Sequence, residues 1–282
     1  MRLVAVLIGV AGCVSVEHHE ADVWGTRQHP CGDAVAPRLA LSALPPGELA
    51  DECMLQWVRK GAAFSLGTYA PPEDDLVDVG DGHQLRSKAA DAFRRLQTAA
   101  AKAGHTIVAV SGYRSHERQV RTHETWVQRR LAKARGTISR EDAEREVGEF
   151  SARAGHSEHQ LGTTVDVSVP GQNPFNHDHG PSAFATSCAG KWVRDNAHRF
   201  GFTMSYPYGR EQITCLTSEP WHFRYVGVTI ATRVVERGLS LEEYFREQHP
   251  AVEIPTLVHC PHTRESLRYD VPSLRQCATP VE

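Results

Sequence analysis

The stretch Gly155-His156-Ser157-Glu158-His159-Gln160-Leu161-Gly162-Thr163-Thr164-Val165-Asp166-Val167 constrains this chain more than any other. From Thr163 the residues alternate. On a strand, Val165, Val167 and Val169 point to one face and Thr164, Asp166 and Ser168 to the other. A valine face needs a core, so Asp166 is presented on the opposite face. His159 comes seven residues earlier, across a turn that contains Gly162. A loop imidazole followed by a strand carboxylate is half of a metal site, and the other half must come from elsewhere in the chain.

The complementary segment is Glu219-Pro220-Trp221-His222-Phe223-Arg224-Tyr225-Val226, which reads as a strand beginning after a proline. His159, Asp166 and His222 together offer two imidazoles and one carboxylate. That is the ligand count of a catalytic zinc, which keeps its fourth position for water. Zinc lowers the pKa of that water to about 7. Glu219, in the turn before His222, is one carboxylate more than the ligand set needs, and a general base beside the water is the role left for it.

These residues resemble the zinc D-Ala-D-Ala peptidases of the vancomycin-resistance carboxypeptidase group and their phage endolysin relatives. The family signatures S-x-H-x-x-G-x-x-x-D and E-x-W-H, preceded by an S-G-Y-R-S block, occur here in that order. They fall on Ser157/His159/Gly162/Asp166, on Glu219/Trp221/His222 and on Ser111 to Ser115. The resemblance spans about residues 78–227. It implies one Zn²⁺ held by His159, Asp166 and His222, with Glu219 as the catalytic base that later protonates the leaving amine. It further implies that Arg114 holds the substrate and polarises its carbonyl or carboxylate, for which a planar guanidinium is well shaped. Ser157, Ser111 and Tyr113 are expected near the substrate or behind the ligands, and Trp221 as a wall of the pocket. Thr164-Val165 stands where the family often carries alanine, which bears on pocket shape rather than on metal binding.

Three functions fit the motifs. The first is a D,D-carboxypeptidase removing the terminal D-alanine from peptidoglycan stem peptides. The second is an endopeptidase cutting within the stem peptide or a cross-bridge. The third is a non-catalytic cell-wall-binding lipoprotein on the same scaffold, whose expected mark, a lost ligand or base, is missing here. A serine D,D-peptidase is disfavoured by the absence of S-x-x-K, and H-E-x-x-H is absent too. Asn176-His177-Asp178-His179 is a rival metal-binding run without a supporting motif, and reads as a His-rich loop.

The N-terminus places such an enzyme outside the cytoplasm. Met1-Arg2 is a minimal basic region and Leu3 to Val10 a short apolar one, ending in Val10-Ala11-Gly12-Cys13. That tetrapeptide resembles a bacterial lipobox, cut before a cysteine that carries lipid; an ordinary signal peptide with a chance cysteine is the alternative. The expected location is the periplasm or cell wall, with membrane contact through the lipid alone. Export leaves six cysteines after Cys13, namely Cys31, Cys53, Cys188, Cys215, Cys260 and Cys277. An even number in an oxidising compartment points to three disulfides, for which 15 connectivities exist; nearest-neighbour pairing closes the smallest loops. A structural zinc at His259-Cys260-Pro261-His262 is the rival, weakened by the lack of any C-x-x-C pair. A net charge of −3 offers no footprint for nucleic acid. Nothing in the sequence speaks to oligomeric state.

The expected fold class is α+β: a small, mainly antiparallel sheet with helices on one side and a zinc cleft on the other, the strand order following the resemblance. The expected organisation is a signal peptide (1–12), a tether with an N-terminal helical segment (13–77), a peptidase domain (78–238) and a C-terminal helix with a disulfide-tied tail (239–282). Helices are expected over 48–60, 87–102, 117–134, 192–200 and 241–247, and after a Ser139/Asp142 capping box. A buried strand is expected at Ile107 to Val110.

Overall fold

The computed structural model describes residues 52–61, 64–175 and 182–253. The signal segment with Cys13, the tether with Cys31, the run from Asn176 to His179, and the tail with His259, Cys260, His262 and Cys277 lie outside the described residues, as does the side chain of Cys53.

Two sheets form. β1 (Leu76–Asp78) and β2 (Gln84–Arg86) make a hairpin. Beyond it, β3 (Val108–Ser111), β4 (Thr164–Ser168), β5 (Phe202–Met204) and β6 (His222–Tyr225) make an antiparallel four-stranded sheet in the order β3-β4-β6-β5. The alternation in β4 works as the sequence requires. Val165 and Val167 join Phe223 and Tyr225 of β6 and Phe202 of β5 in the main core.

Helices supply the other half of that core. α1 (Ser87–Lys102) contributes Ala89, Phe93 and Leu96, α5 (Cys188–Asn196) contributes Val193, and α7 (Val228–Glu236) contributes Ile230 and Val234. Each fully buried Val, Leu or Phe is worth about 1.5–3 kcal/mol relative to exposure. The fold is therefore α+β as expected, with helices packed on the valine face of the sheet. α4 (Ala183–Thr186) and α6 (Glu211–Thr214) are single turns. α3 (Arg140–Val147) starts at the Ser139/Asp142 capping box and α8 (Leu241–Gln248) at Ser240/Glu243, both with reciprocal bonds. One core holds Met54, Leu55, Trp57 and Phe64, the sheet, and Leu241, Tyr244 and Phe245 of α8, so residues from three of the four expected segments pack together.

One local expectation differs from the structure. Over 52–60 the chain makes only a 3-10 turn, Glu52–Leu55, and then runs non-helically. The carbonyls of Met54 and Gln56 accept from Arg224 Nη2 at 3.1 and 2.6 Å, and an α-helix would have spent them on its own amides. α2 (His116–Ala134) forms where expected and is mostly solvated, with Val127 fully buried and Val120 49% exposed. Val127 packs with Ala143 and Val147 of α3, and Leu131 packs against the same cluster. β5 and α7 are too short or too β-branched for their type to show in local pattern.

The α2 geometry predicts a contrast. Val127→Ala should lower stability by about 1–3 kcal/mol, whereas Val120→Ala should stay within about 0.5 kcal/mol. Urea melts of the two variants check it, and equal losses would show that the α2–α3 contact is not made in solution.

Candidate active site

The sheet face opposite the core carries the chemistry. In the β4–β6 ladder Asp166 is the direct partner of His222, and in the β3–β4 ladder Ser111 is the partner of Asp166. His159 arrives from the single 3-10 turn Glu158–Leu161, which Ser157 precedes and Gly162 ends at φ 72°. Only glycine adopts that left-handed conformation without strain, and there the chain reverses into β4. Three residues far apart in sequence thus meet at one point.

Their geometry is that of a ligand set. His159 Nε2 lies 3.2 Å from Asp166 Oδ2, and His222 Nδ1 lies 3.2 Å from Asp166 Oδ1. The three residues offer ligand atoms all within 4.8 Å of one another, and all are buried. At these short distances His159 Nε2, Asp166 Oδ1 and His222 Nδ1 still lack the alignment of a hydrogen bond. Tetrahedral zinc with bonds of about 2.0–2.1 Å spaces its ligands by about 3.3–3.5 Å. The residues present fit that ion.

Both imidazoles are fixed from behind. His159 Nδ1 is 2.7 Å from the Gly112 carbonyl, which can only accept, so the proton is on Nδ1 and the lone pair of Nε2 faces the centre. His222 Nε2 is 3.0 Å from Glu158 Oε2, which turns Nδ1 inward by the same logic. The Gly112 carbonyl is itself positioned, because Arg114 N–H donates to the His159 carbonyl at 3.1 Å and Tyr113 N–H to Gln84 O at 2.7 Å.

The electrostatics favour positive charge. Burial would raise Asp166, but His159 and His222 outweigh it and hold the carboxyl well below the usual range. Burial, then Arg114, depress His159 to about 4. His222 goes the other way: burial is overcome by the adjoining carboxylates of Asp166, Glu158 and Glu219, and its pKa rises to about 10. The carboxylates around His222 thus hold a proton where a cation would sit. Glu219 Oε2 is 3.4 Å from His222 Nδ1, and burial raises its pKa to about 8 against the pull of His222.

Ser111, Arg114, Ser157 and Trp221 line the cleft above this centre. Arg114 Nε is buried with no hydrogen-bond partner among the described residues. Burial lowers the Arg114 pKa, and Asp166 and Glu219 oppose it. Trp221 packs edge-on against Phe175, with centroids 5.7 Å apart. Tyr113 is not among the lining residues; only its backbone takes part, through Gln84. His156 is structural here, its Nδ1 2.8 Å from the Arg59 carbonyl.

Sequence reasoning passed over four residues. Tyr206 lies against the His222 ring, with centroids 4.7 Å apart. Gln119 donates from Nε2 to the Ala152 carbonyl at 2.6 Å, leaving a buried Oε1 without a partner in a residue that lines the cleft. Glu158 and Arg224 sit behind His222, 2.8 Å apart. The available signals were adjacency for Glu158 (beside His159) and strand alternation for Arg224, which shares the face of His222; Tyr206 and Gln119 carried none.

Residues 82–228 match the family model VanY, D-alanyl-D-alanine carboxypeptidase. The chain belongs to the VanY family. YodJ of Bacillus subtilis (strain 168), named as a carboxypeptidase, is 37% identical over 70% of this chain and 68% of its own length. A solved vancomycin-resistance D,D-pentapeptidase VanY mutant in complex with Zn(II) is similar at TM-score 0.55 and 29% identity, covering 69% of this chain and 99% of that one. The LdcB LD-carboxypeptidase is similar at TM-score 0.55 and 35% identity, covering 68% and 86%. The VanY region leaves out residues 52–61, which nevertheless pack into the same core.

The site predicts metal binding measurable without any substrate. Full-length protein should bind one zinc per chain and melt at higher temperature with zinc than after chelation. Asp166→Ala and His222→Ala should retain less than about a tenth of that metal after gel filtration. Metal analysis of the eluted protein decides it, and stoichiometric zinc in both variants would dismiss the ligand set.

Proposed function

We propose that the chain is a zinc-dependent D,D-carboxypeptidase that removes the terminal D-alanine from peptidoglycan stem peptides. The observation that carries this is the convergence of His159, Asp166 and His222 beside a Glu219 that none of them requires as a fourth ligand. His159 Nε2, Asp166 and His222 Nδ1 would hold the ion. When bound, zinc lowers the pKa of a water to about 7 and polarises the scissile carbonyl.

The protein supplies everything else. Glu219 takes the proton of the attacking water on its carboxylate and delivers it to the nitrogen of the departing D-alanine, so one carboxyl serves both halves of the hydrolysis. Its carboxylate lies 3.4 Å from His222 Nδ1, beside the point where the water would be held. Arg114 offers a guanidinium without a hydrogen-bond partner at Nε, matched in shape to the terminal carboxylate or the carbonyl next to it. Ser157, Ser111 and Trp221 line the same cleft, within which the peptide would lie.

The L,D-carboxypeptidase reading is favoured by one observation, the 35% identity to LdcB. The two differ in the bond cut: between two D-residues in a pentapeptide, or between an L-centre and D-alanine in a tetrapeptide. The endopeptidase reading instead needs a cleft that accepts chain on both sides of the cut.

Export completes the proposal. No helix among the described residues is long and apolar enough to cross a membrane, and attachment would rest on lipid at Cys13. Disulfides among the exported cysteines would accord with an oxidising compartment. The peptidase unit is taken as residues 78–238, with the helix that follows from 241 packed into the same core.

Mass spectrometry of the products from defined penta- and tetrapeptides tests the reading. Loss of one alanine from the pentapeptide alone is expected; loss from the tetrapeptide alone would replace D,D with L,D activity, and internal fragments would replace both. Glu219→Ala should keep zinc and lose about 10²–10⁴-fold in kcat, and a near wild-type rate would remove Glu219 as the base. Arg114→Lys should lose at least about tenfold in kcat/KM, because a point charge does not reproduce the fork.

A further inference from the structure

Glu158 is the buried carboxylate that the proposed chemistry leaves idle. It sits next to His159 in sequence yet faces the other histidine. Its Oε2 is 3.0 Å from His222 Nε2 and accepts from Ser205 Oγ at 2.6 Å. Its Oε1 accepts from Arg224 Nη1 at 2.8 Å. His222 and Arg224 are alternate residues of β6 on one sheet face, so a single carboxylate bridges both. Arg224 is completely buried and donates through Nη2 to the Met54 and Gln56 carbonyls at 3.1 and 2.6 Å. Phe245 of α8 covers the guanidinium at 5.6 Å.

We propose that Glu158 and Arg224 are positioning residues of the metal centre, and that the Met54–Gln56 backbone, outside the VanY-matched region, is the fixed point from which they act. The chain of contacts runs from those carbonyls through Arg224 and Glu158 to His222 Nε2–H, leaving Nδ1 toward Asp166. A free imidazole can turn over or place its proton on either nitrogen, and only one of those states presents a lone pair to the ion. A carboxylate held on both oxygens selects that state and makes the nitrogen a better donor to a metal. Isolated buried ion pairs seldom stabilise a fold over apolar replacements, so a role beyond stability accounts better for burying one here. The inference rests on the zinc-site reading above and adds the backing of one of its ligands.

The test is zinc affinity of the full-length protein, by competition with a chromophoric chelator, together with the visible spectrum after Co²⁺ substitution. Glu158→Gln keeps the shape but lacks the carboxylate, and should bind zinc about 10–100-fold more weakly, with shifted Co²⁺ bands. Ser205→Ala, which frees one oxygen of the same carboxylate, should move both readouts in the same direction by less. Glu242→Gln is the control. It disrupts another buried cluster, with Arg59 and Trp57 at 3.1 and 2.7 Å, and should lower stability while leaving zinc affinity unchanged. Affinity and spectrum of Glu158→Gln equal to wild type would overturn the proposal, as would an equal loss in Glu242→Gln. Should Glu158→Gln fail to fold, an unchanged Ser205→Ala overturns it alone. A wild-type protein that binds no zinc refutes the site reading, whereas binding that is indifferent to the variants refutes only the positioning role.

Discussion

The β4–β6 ladder is the interaction on which the molecule depends. Pairing Asp166 with His222 also pairs Val165 with Phe223, so a single register sets both the ligand geometry and the floor of the core. A slip by one residue would turn the valines into the cleft and the carboxylate into the core. The burial of Val165, Val167 and Phe223 therefore holds the proposed metal ligands in line. Stability and function are the same constraint seen from the two faces of one sheet.

The cleft face carries an electrostatic load that the rest of the fold is arranged to bear. Asp166, Glu158 and Glu219 are buried close together, and unpaired buried charge is expensive. Glu158 is answered by Arg224, and burial, which alone would raise it, is overcome so that its pKa stays near 2. Asp166 and Glu219 have no such fixed counterion, only the histidines and the nearby Arg114. Two carboxylates left to share imidazoles are a place for a cation.

Much of the fold was legible because its signals are local. α1 ends just before Gly104, and the capping boxes at Ser139/Asp142 and Ser240/Glu243 close as the spacing requires. Each depends on neighbours within a turn or two. Over 52–60 the expected helix does not form, for the converse reason: the Met54 and Gln56 carbonyls are claimed by Arg224, about 170 positions away. Val120 shows the limit of local pattern: which residues of an apolar stripe are buried depends on what packs there, and the α3 cluster takes Val127 and Leu131. Tyr113 stood inside a recognised motif, yet its motif fixes the backbone path rather than a side chain in the cleft.

The sequence by itself determined the candidate ligands and the strand that carries Asp166, because metal-binding side chains and period-two alternation are written residue by residue. The resemblance of three ordered motifs to one family added the pairing of distant segments that no local pattern contains. Tertiary structure alone decided how those side chains are backed: that the Gly112 carbonyl orients His159, that Glu158 turns His222, and that Met54 and Gln56 anchor Arg224 beneath them. Such contacts join residues with no fixed sequence spacing. They exist only once the core has brought the segments within hydrogen-bonding reach.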